Sequence, residues 1–477
     1  MRWLSVVRAA SRDVRPMPSS SRPHGDMSAA VGSGEEHAPT PRRELRLRDL
    51  VFFDISAIVS LRWVAAAAHA GPGSFVLWII AALFFFLPSA IVVASLSRRF
   101  PEEGGFYVWT KRAFGDQHAF ICSWFYFIST VLYFPSLLLA GISMAAYAFG
   151  GPGERVAEHR EFALPITLVV LWAAFAANFF GMRVAKWISA LGGSSTFIIG
   201  AVLGVLAIAA GLHSGLATRF VLLPKPNLDT VNFWSQIAFA FVGLELAPIV
   251  SGEIRNPRRD LPRAAVISGV VSVAFYIAAT SSLLVLLKPE EISPMTGLAQ
   301  AGAAGALKLG APLVGILLAW LIGIAVVGQL DTWIAGNTRL PYAIGLDHYL
   351  PAAFSRVHPR WGTPYVSLLV QAVAATLFLL MAQLGETVRA AYQITVDMTV
   401  ITTFIPFVYI FATGFRFANR IAAASGLGVT LVAIALSVMP PPEASSVAAF
   451  EAKVVGGSFL VLLLGWLLFK RFEAQRS

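Results

Sequence analysis

The sequence predicts an all-α integral membrane protein with twelve transmembrane helices, and three observations support this. First, 57% of the 477 residues are hydrophobic and only 13% are charged, whereas soluble proteins have about 25% charged residues. Second, the apolar residues form twelve stretches, each close to the ~20 residues with which a helix crosses a bilayer. Third, arginine and lysine collect in alternate loops between these stretches.

The apolar stretches follow a polar N-terminal segment. Residues 1–45 are rich in Ser, Pro, Gly and Arg, a composition typical of disordered chain, and they are predicted to form a disordered cytoplasmic tail. The predicted spans are residues 50–69, 74–97, 119–148, 163–181, 187–211, 231–251, 264–287, 312–336, 364–383, 390–415, 422–439 and 453–470.

The distribution of positive charge predicts the orientation in the membrane. From residue 42 onward, the loops and flanking segments on one side contain 22 Lys and Arg residues, and the loops on the other side contain 8. Because short loops rich in Lys and Arg remain in the cytoplasm, both termini are predicted to be cytoplasmic, in a plasma membrane or bacterial inner membrane. The net charge of +10 follows from this asymmetry, so no nucleic acid partner is expected.

Two of the predicted spans are interrupted at corresponding places. Val59-Ser60-Leu61-Arg62 in span one aligns without gaps on Val242-Gly243-Leu244-Glu245 in span six. Each segment places a small residue, a leucine and a charged residue at bilayer depth, where a charge is costly and usually functional. Interrupted helices at equivalent places indicate the binding site of a secondary transporter. The matched places of Arg62 and Glu245 also predict that these two residues form an ion pair, which would be either a gate that breaks during transport or a staple that only joins two helices.

The equivalence of spans one and six predicts a repeat of five helices. An odd number of helices inverts the second copy in the membrane, so spans 1–5 pair with spans 6–10. The predicted organisation is a tail at 1–45, a first repeat at 46–223, a second repeat at 224–416, and two further helices with a short cytoplasmic tail at 417–477.

Three segments resemble the amino acid–polyamine–organocation superfamily of permeases. They read FAFVGLELAPIVSGEIRNPRRDLPRA at 239–264, FPEEGGFYVWTKRAFG at 100–115 and GQLDTWIAGNTRLPYAIGLDHYLP at 328–351. The resemblance covers about residues 44–470. It implies a LeuT-type five-plus-five inverted repeat with two additional helices. It also implies secondary active transport of amino acids or related amines by alternating access, coupled to protons or working by exchange.

The first span departs from the pattern of this superfamily. Most members have a Gly-Ser-Gly-like break, where backbone amides meet the carboxylate of the substrate, but this chain has Ser60-Leu61-Arg62-Trp63. The variant is similar to that of glutamate/GABA antiporter-like bacterial permeases, and it adds a fixed positive charge.

The predicted substrate site lies between the two breaks. The N-terminus of a half-helix favours a carboxylate, so the carboxylate of an amino acid is expected in span one and its ammonium group at the carbonyls of span six. For the aromatic residues, packing in the core is the alternative. The predicted substrate-binding residues are Ser60, Leu61, Arg62, Trp63, Phe239, Ala240, Phe241, Gly243 and Glu245.

Two aspartates and a lysine are candidates for coupling. Asp331 and Asp397 lie within apolar spans, where a buried carboxyl group either carries a proton or joins helices by hydrogen bonds. Lys186 begins span five, where some proton-coupled relatives place a lysine instead of sodium. An ordinary positive charge at the cytoplasmic edge is the alternative for Lys186. Asp54 lies near the cytoplasmic end of span one and is expected to be solvated or to face Arg46 or Arg48.

Glu253 is a candidate for gating. It is expected to pair with the basic loop at 97–112 and to close the cytoplasmic side, and a solvated loop is the alternative.

Several other functions find no support in the sequence. There is no Walker motif, metal-ligand spacing or catalytic constellation, and Cys122 is the single cysteine, so no enzymatic activity and no cofactor is expected. The expected partners are a small-molecule substrate and the lipid bilayer. A polyamine or cationic-amine porter remains an alternative, which Glu245 favours and Arg62 opposes. A non-transporting sensor on the same fold is a second, although no large soluble output domain is present.

Overall fold

The structure is a computed structural model, and it describes residues 43–150, 159–221, 223, 228–383, 388–437 and 456–476. Most of the predicted tail therefore lies outside the described residues. The described backbone is helical almost throughout, and its one β contact is an isolated bridge between Leu45 and Ile254. The prediction of an all-helical protein is confirmed.

The described residues form sixteen α-helices, numbered here in chain order. They are α1 Leu47–Ile58, α2 Leu61–His69, α3 Ser74–Arg99, α4 Phe106–Phe114, α5 Asp116–Ala145, α6 Arg160–Phe179, α7 Met182–Ser214, α8 Leu228–Phe239, α9 Pro257–Leu286, α10 Gly297–Lys308, α11 Pro312–Asn337, α12 Arg339–Leu346, α13 Tyr365–Gln383, α14 Val388–Phe417, α15 Arg420–Ser437 and α16 Gly457–Arg476. Helix α3 contains a π-helical turn at Ala82–Phe86.

The helices fit an integral membrane protein. Within the described residues, eight helices are long and apolar enough to cross a membrane, and a ninth span results when the bent pair α1 and α2 is counted as one. Each of the twelve predicted spans coincides with a helix or with a pair of helical segments. The count of exactly twelve crossings stays a prediction.

The first predicted interruption is confirmed. Helix α1 ends at Ile58, α2 begins at Leu61, and the two helices are bent by 40°. Val59 and Ser60 between them have extended backbone conformations. Helix α1 therefore ends with carbonyl groups, and α2 begins with N–H groups, that have no partner within their own helix.

The second predicted interruption is also confirmed, and it touches the first. Helix α8 ends at Phe239, a turn occupies 240–246, and a 3₁₀ segment follows at Ala247–Glu253. Gly243 in this turn has a φ of +133°, and a Cβ atom there would lie 2.9 Å from the carbonyl carbon of Ala57. Only glycine permits this conformation and this contact, so Gly243 allows the two broken helices to meet.

Helix α11 is held close to the rest of the bundle by glycine. A Cβ atom on Gly192 of α7 would lie 2.6 Å from the Cα of Gly328 on α11, so the two backbones cross in direct contact. This crossing sets α11 against α1, where its polar side chains reach the first break.

Candidate functional site

Tyr276 of α9 joins the two breaks through its hydroxyl group. The N–H of Ser60 donates to the hydroxyl oxygen at 3.0 Å. The hydroxyl lies 2.8 Å from the carbonyl oxygen of Ile58 and 2.9 Å from that of Ala240, and it shares its one hydrogen between them. The ring stacks on Trp78 with 4.3 Å between centroids. Tyr276 was not among the predicted site residues, because a single tyrosine in an apolar span forms no motif.

Helix α11 satisfies the carbonyl groups of the first break. The Nε2 of Gln329 lies 3.3 Å from the carbonyl oxygen of Ala57 and 3.2 Å from that of Val59. The indole N–H of Trp333 donates to the Ala57 oxygen at 3.1 Å. The unwound backbone is therefore hydrogen-bonded by side chains of a neighbouring helix, as a buried carbonyl requires. Both residues lie in the segment 328–351, but no role was predicted for either.

Arg62 lies within an aromatic cluster beside the first break. Its side chain is buried, and its guanidinium carbon lies 4.5 Å from the ring centroid of Trp63 and 4.7 Å from that of Tyr133. Its Nη1 donates to the hydroxyl of Ser136 at 2.7 Å. Cation–π contacts of this kind strengthen when the cation is removed from water. The predicted fixed positive charge is therefore present next to the break.

Glu245 has other partners than the one predicted. Its carboxylate accepts hydrogen bonds from the hydroxyl of Tyr126 at 2.7 Å and from the N–H of Gly243 at 3.0 Å. None of the ion pairs within the described part of the chain joins it to Arg62. The predicted ion pair is therefore wrong for this conformation. The physical reason is that the two charges face positions two helical turns apart on α5, Tyr126 and Tyr133.

The first turn of α2 is suited to a carboxylate. Ser60 is the N-cap residue, and its buried side chain does not cap the helix. The N–H groups of Leu61 and Arg62 lie in the first turn, where the helix itself offers no acceptor. A buried hydroxyl, the N–H groups of a first turn and the positive end of the helix dipole together attract an anionic group.

The two phenylalanines of the second break face different surroundings. Phe239 contacts Trp63 at 5.5 Å and Tyr133 at 6.4 Å between ring centroids, so it belongs to the aromatic cluster around the first break. Phe241 contacts Trp78 at 5.4 Å and Phe86 at 4.9 Å. Phe241 therefore packs against α3, and its direct role in substrate binding stays a prediction.

Asp331 joins three helices by hydrogen bonds. The side-chain N–H of Asn178 on α6 donates to its Oδ1 at 2.6 Å, and the Ser189 hydroxyl on α7 lies 3.5 Å from its Oδ2. The hydroxyl of Thr332 lies 2.7 Å from that of Ser189 and 2.8 Å from the carbonyl oxygen of Gly328. The amide nitrogen of asparagine only donates, so Asp331 is placed as an acceptor between helices. A role in coupling stays a prediction.

The other two coupling candidates are Lys186, at the end of a span, and Asp397, whose side chain is not among those described. The Nζ of Lys186 lies 3.8 Å from Oε2 of Glu44, and both side chains are partly exposed. The backbone of Asp397 belongs to α14, but its side chain lies outside the described residues.

The expectation for Asp54 was wrong. Its side chain is buried and faces Ser268 of α9 rather than Arg46, Arg48 or solvent. The reason is that Asp54 lies on the face of α1 that packs against α9.

Glu253 forms a buried ion pair with Arg339. The Nε and Nη2 of Arg339 both lie 2.8 Å from Oε1 of Glu253, and the side chains are 3% and 7% exposed, respectively. The predicted partner, the loop at 97–112, instead contributes a second carboxyl group, that of Glu103. The pairing with that loop was therefore wrong, because the cation that contacts Glu253 comes from α12, a helix distant in the sequence.

The segments at 100–115 and 328–351 are joined by a second polar cluster. Asp347, which follows α12, accepts hydrogen bonds from the hydroxyl of Tyr107 at 2.5 Å and from Nζ of Lys111 at 2.6 Å. Lys111 also lies 3.3 Å from Asp116. This cluster and the Glu253–Arg339 pair lie at the end of the bundle with the arginine-rich loops, called the basic end below.

A short segment before α1, formed by Glu44 and Leu45 and called the arm below, also lies at the basic end. The N–H groups of Glu44 and Leu45 donate to the carbonyl oxygen of Glu253 at 2.9 and 3.0 Å. The N–H of Arg255 donates to the carbonyl oxygen of Leu45 at 3.0 Å. The arm therefore binds the segment between the second break and α9.

The carboxyl group of Glu103 is expected to make stability depend on pH. Burial, together with the negative charge of Glu253, raises the pKa of Glu103 from 4.5 to about 7, and Arg339 offsets part of this shift. Between these pH values the folded protein holds a proton that the unfolded chain has released, so stability falls as pH rises through this window. Glu103→Gln is expected to flatten this dependence, measured as thermal unfolding in detergent from pH 4.5 to 8.

The neighbouring Glu102 supplies the matched control. It is exposed and lies 3.5 Å from Arg112, so Glu102→Gln should leave the pH dependence as in the wild type. An unchanged dependence in Glu103→Gln would show that this carboxyl group does not titrate in the window.

The fold and the site together define a class of protein. An all-helical integral membrane protein whose two interrupted helices meet inside the bundle has the architecture of a membrane transporter. Residues 45–464 match the profile of the family described as amino acid permease. The chain therefore belongs to the amino acid permease family.

Individual relatives agree with this assignment. An uncharacterised transporter of Legionella pneumophila is 26% identical over 91% of this chain and 98% of its own length. The probable agmatine/putrescine antiporter AguD of Lactococcus lactis is 24% identical over 70% of this chain and 72% of its own length. The branched-chain amino acid permease BcaP of Bacillus subtilis is 25% identical, with 72% and 74% covered.

Proposed function

We propose that the protein is a secondary active transporter that moves an amino acid or a related amine across the membrane by alternating access. The observation that carries this proposal is the contact between the two breaks at Gly243 and Ala57, with the hydroxyl of Tyr276 between them. Interrupted backbone at membrane depth is tolerated where it is buried in protein or lines a cavity. Paired breaks of this kind hold the substrate in secondary transporters.

The two poles of an amino acid would be bound at different breaks. The carboxylate would meet the first turn of α2, where Ser60, Leu61 and Arg62 offer a hydroxyl, N–H groups and a positive charge. The ammonium group would meet the carbonyl groups of the turn at 240–246. Phe239 and Trp63, whose rings are in contact, would cover the aliphatic part of the substrate.

The proposed topology has twelve spans with both termini in the cytoplasm. The two inverted repeats would occupy 46–223 and 224–416, and the last two helices 417–477. This proposal is supported by the coincidence of each predicted span with helical structure and by the equivalent places of the two breaks. The basic end would then face the cytoplasm, and the pair of Glu253 and Arg339 would act as its gate.

Coupling to protons, or exchange of substrates, is proposed rather than coupling to sodium. The carbonyl groups of Ala57 and Val59 at the first break are engaged by N–H donors of Gln329 and Trp333, so these carbonyls are already hydrogen-bonded. Gln329 and Trp333, which are both uncharged, therefore occupy carbonyl oxygens that a bound cation would need as ligands.

A cationic amine is the second candidate substrate. It is favoured by the carboxylate of Glu245 beside the second break and by the similarity to a probable agmatine/putrescine antiporter. Arg62 opposes it, because a second positive charge next to a buried cation is repelled.

Uptake into proteoliposomes tests the proposed function. Purified protein would be offered labelled amino acids, agmatine and putrescine with an imposed proton gradient, sodium gradient or internal counter-substrate. Uptake of at least one amino acid or amine, driven by a proton gradient or by exchange, is expected. Absence of movement of every compound would refute the transport proposal, and a strict need for sodium would refute the proposed coupling.

A further inference from the structure

Asp54 is a buried acid that the proposed binding scheme does not use. It lies on α1, four residues before the helix ends at Ile58, and its side chain is 1% exposed. Its only hydrogen-bond partner among the described residues is the hydroxyl of Ser268 on α9, at 3.2 Å from Oδ2. Its other oxygen, Oδ1, is buried and makes no hydrogen bond with any described residue.

The hydrogen of the Ser268 hydroxyl is already engaged. The hydroxyl oxygen lies 2.7 Å from the carbonyl oxygen of Ala264, one helical turn earlier on α9, and this is the usual partner of a serine within a helix. A hydroxyl group has one hydrogen and two lone pairs. The hydroxyl of Ser268 must therefore share its one hydrogen between Ala264 and an ionised Asp54. A protonated Asp54 removes this competition, because its own hydrogen can be donated to a lone pair of Ser268.

The elements around Asp54 bring no cation close to it within the described residues. Helix α1 packs mainly against α7, α9, α11 and the 3₁₀ segment. No cation in the described part of the chain lies within ion-pair distance of Asp54. The other titratable residues on these four elements are Arg183, Lys186 and His213, then Arg258, Arg259, Asp260, Arg263 and Tyr276, then Asp331, and Glu253.

Asp331, the other buried aspartate with a described side chain in an apolar span, has different hydrogen-bond partners. Asp331 accepts a 2.6 Å hydrogen bond from the amide of Asn178, a group that can only donate, so its surroundings suit an ionised carboxylate. Asp54 has no such dedicated donor. Of these two buried aspartates, Asp54 is therefore the one whose hydrogen-bond contacts suit a protonated carboxyl group.

We propose that Asp54 is the proton-binding residue of the transport cycle, and that it carries its proton while the basic end is closed. The proposal rests on the proposed transport function. Helix α1 begins next to the closure formed by Leu45, Glu253 and Arg339. When this closure opens, water reaches the carboxyl group, the O–H bond of Asp54 breaks, and the proton passes to that water. Re-protonation from the opposite side completes the cycle, so one proton crosses per turnover.

Asp54→Asn tests this role, because asparagine imitates the protonated acid in size and still donates to Ser268. Exchange of labelled substrate between equal internal and external pH should remain measurable, whereas accumulation driven by a proton gradient should be lost. Glu102→Gln, which changes an exposed carboxyl group beside Arg112, is the control and should retain gradient-driven accumulation. Accumulation by Asp54→Asn at the wild-type level would overturn the proposal, and so would wild-type protein that exchanges substrate without responding to a proton gradient.

Ser268→Ala provides a second test that does not depend on the folding of the first variant. If Ser268 accepts the proton of Asp54, its removal disfavours the protonated form, and the pH of half-maximal transport should shift toward acid by about 0.7 unit. If Ser268 instead donates to an ionised Asp54, the shift has the opposite sign, and the proposal fails. A total lack of substrate movement in the wild type would refute the transport function itself, which distinguishes the two failures.

Discussion

Tyr276→Phe is expected to reduce transport by about a hundred-fold while the protein remains helical and membrane-inserted. The substitution removes the hydroxyl that contacts Ser60, Ile58 and Ala240 and leaves the ring in its stack with Trp78. Each buried polar group left without a partner costs about 1–3 kcal/mol. Since 2.7 kcal/mol corresponds to roughly a hundred-fold in rate, the loss of even part of this network should be visible as initial uptake into proteoliposomes.

Tyr409→Phe is the matched control for this prediction. The hydroxyl of Tyr409 lies 3.2 Å from the ring nitrogen of His118 at an exposed position, away from the two breaks, so its removal should leave uptake near the wild-type rate. Wild-type uptake by Tyr276→Phe would show that the hydroxyl does not position the breaks. The proposed substrate site would then lose its principal support.

Glu253→Gln is expected to destabilise the protein strongly and to loosen the basic end. Removing one partner of a buried ion pair typically costs about 3–5 kcal/mol, because the other charge is left buried and uncompensated. Arg339, whose side chain is 3% exposed, would be that charge. Thermal unfolding in detergent measures the stability. Labelling of a Ser251→Cys reporter in a Cys122→Ser background measures access from the basic end, and it should become faster.

The exposed pair of Glu102 and Arg112 provides the comparison. Its side chains are 48% and 59% exposed, respectively, and lie 3.5 Å apart, and surface pairs of this kind contribute about 0–1 kcal/mol. Glu102→Gln should therefore change neither stability nor labelling appreciably. Equal effects of the two substitutions would mean that the buried pair does not hold the basic end closed.

The broad fold and the two breaks were predictable because their signals are local. A run of apolar residues reports a helix in a membrane, and Gly243 or Pro248 within such a run reports an interruption whatever the rest of the chain does. The importance of Arg62 and Glu245 was equally predictable, because charged residues are rare at bilayer depth and are usually functional there.

The partners of these residues were not predictable because they depend on packing between distant helices. Tyr276 and Gln329 are ordinary residues in apolar spans, and their roles arise only when α9 and α11 meet the broken helices. The expected pairing of Arg62 with Glu245 failed for the same reason. Equivalent positions in two repeats bring two backbones together, but the direction of each side chain is decided by the neighbours that it finds on α5.

The arm at Glu44 and Leu45 is held by main-chain hydrogen bonds, so its attachment does not depend on which side chains it carries. Substitution by alanine would leave those N–H groups in place, whereas proline at either position would remove a donor. Alanine scanning would therefore not detect the contribution of the arm. Related chains can keep the same contact even when their residues differ at these two positions.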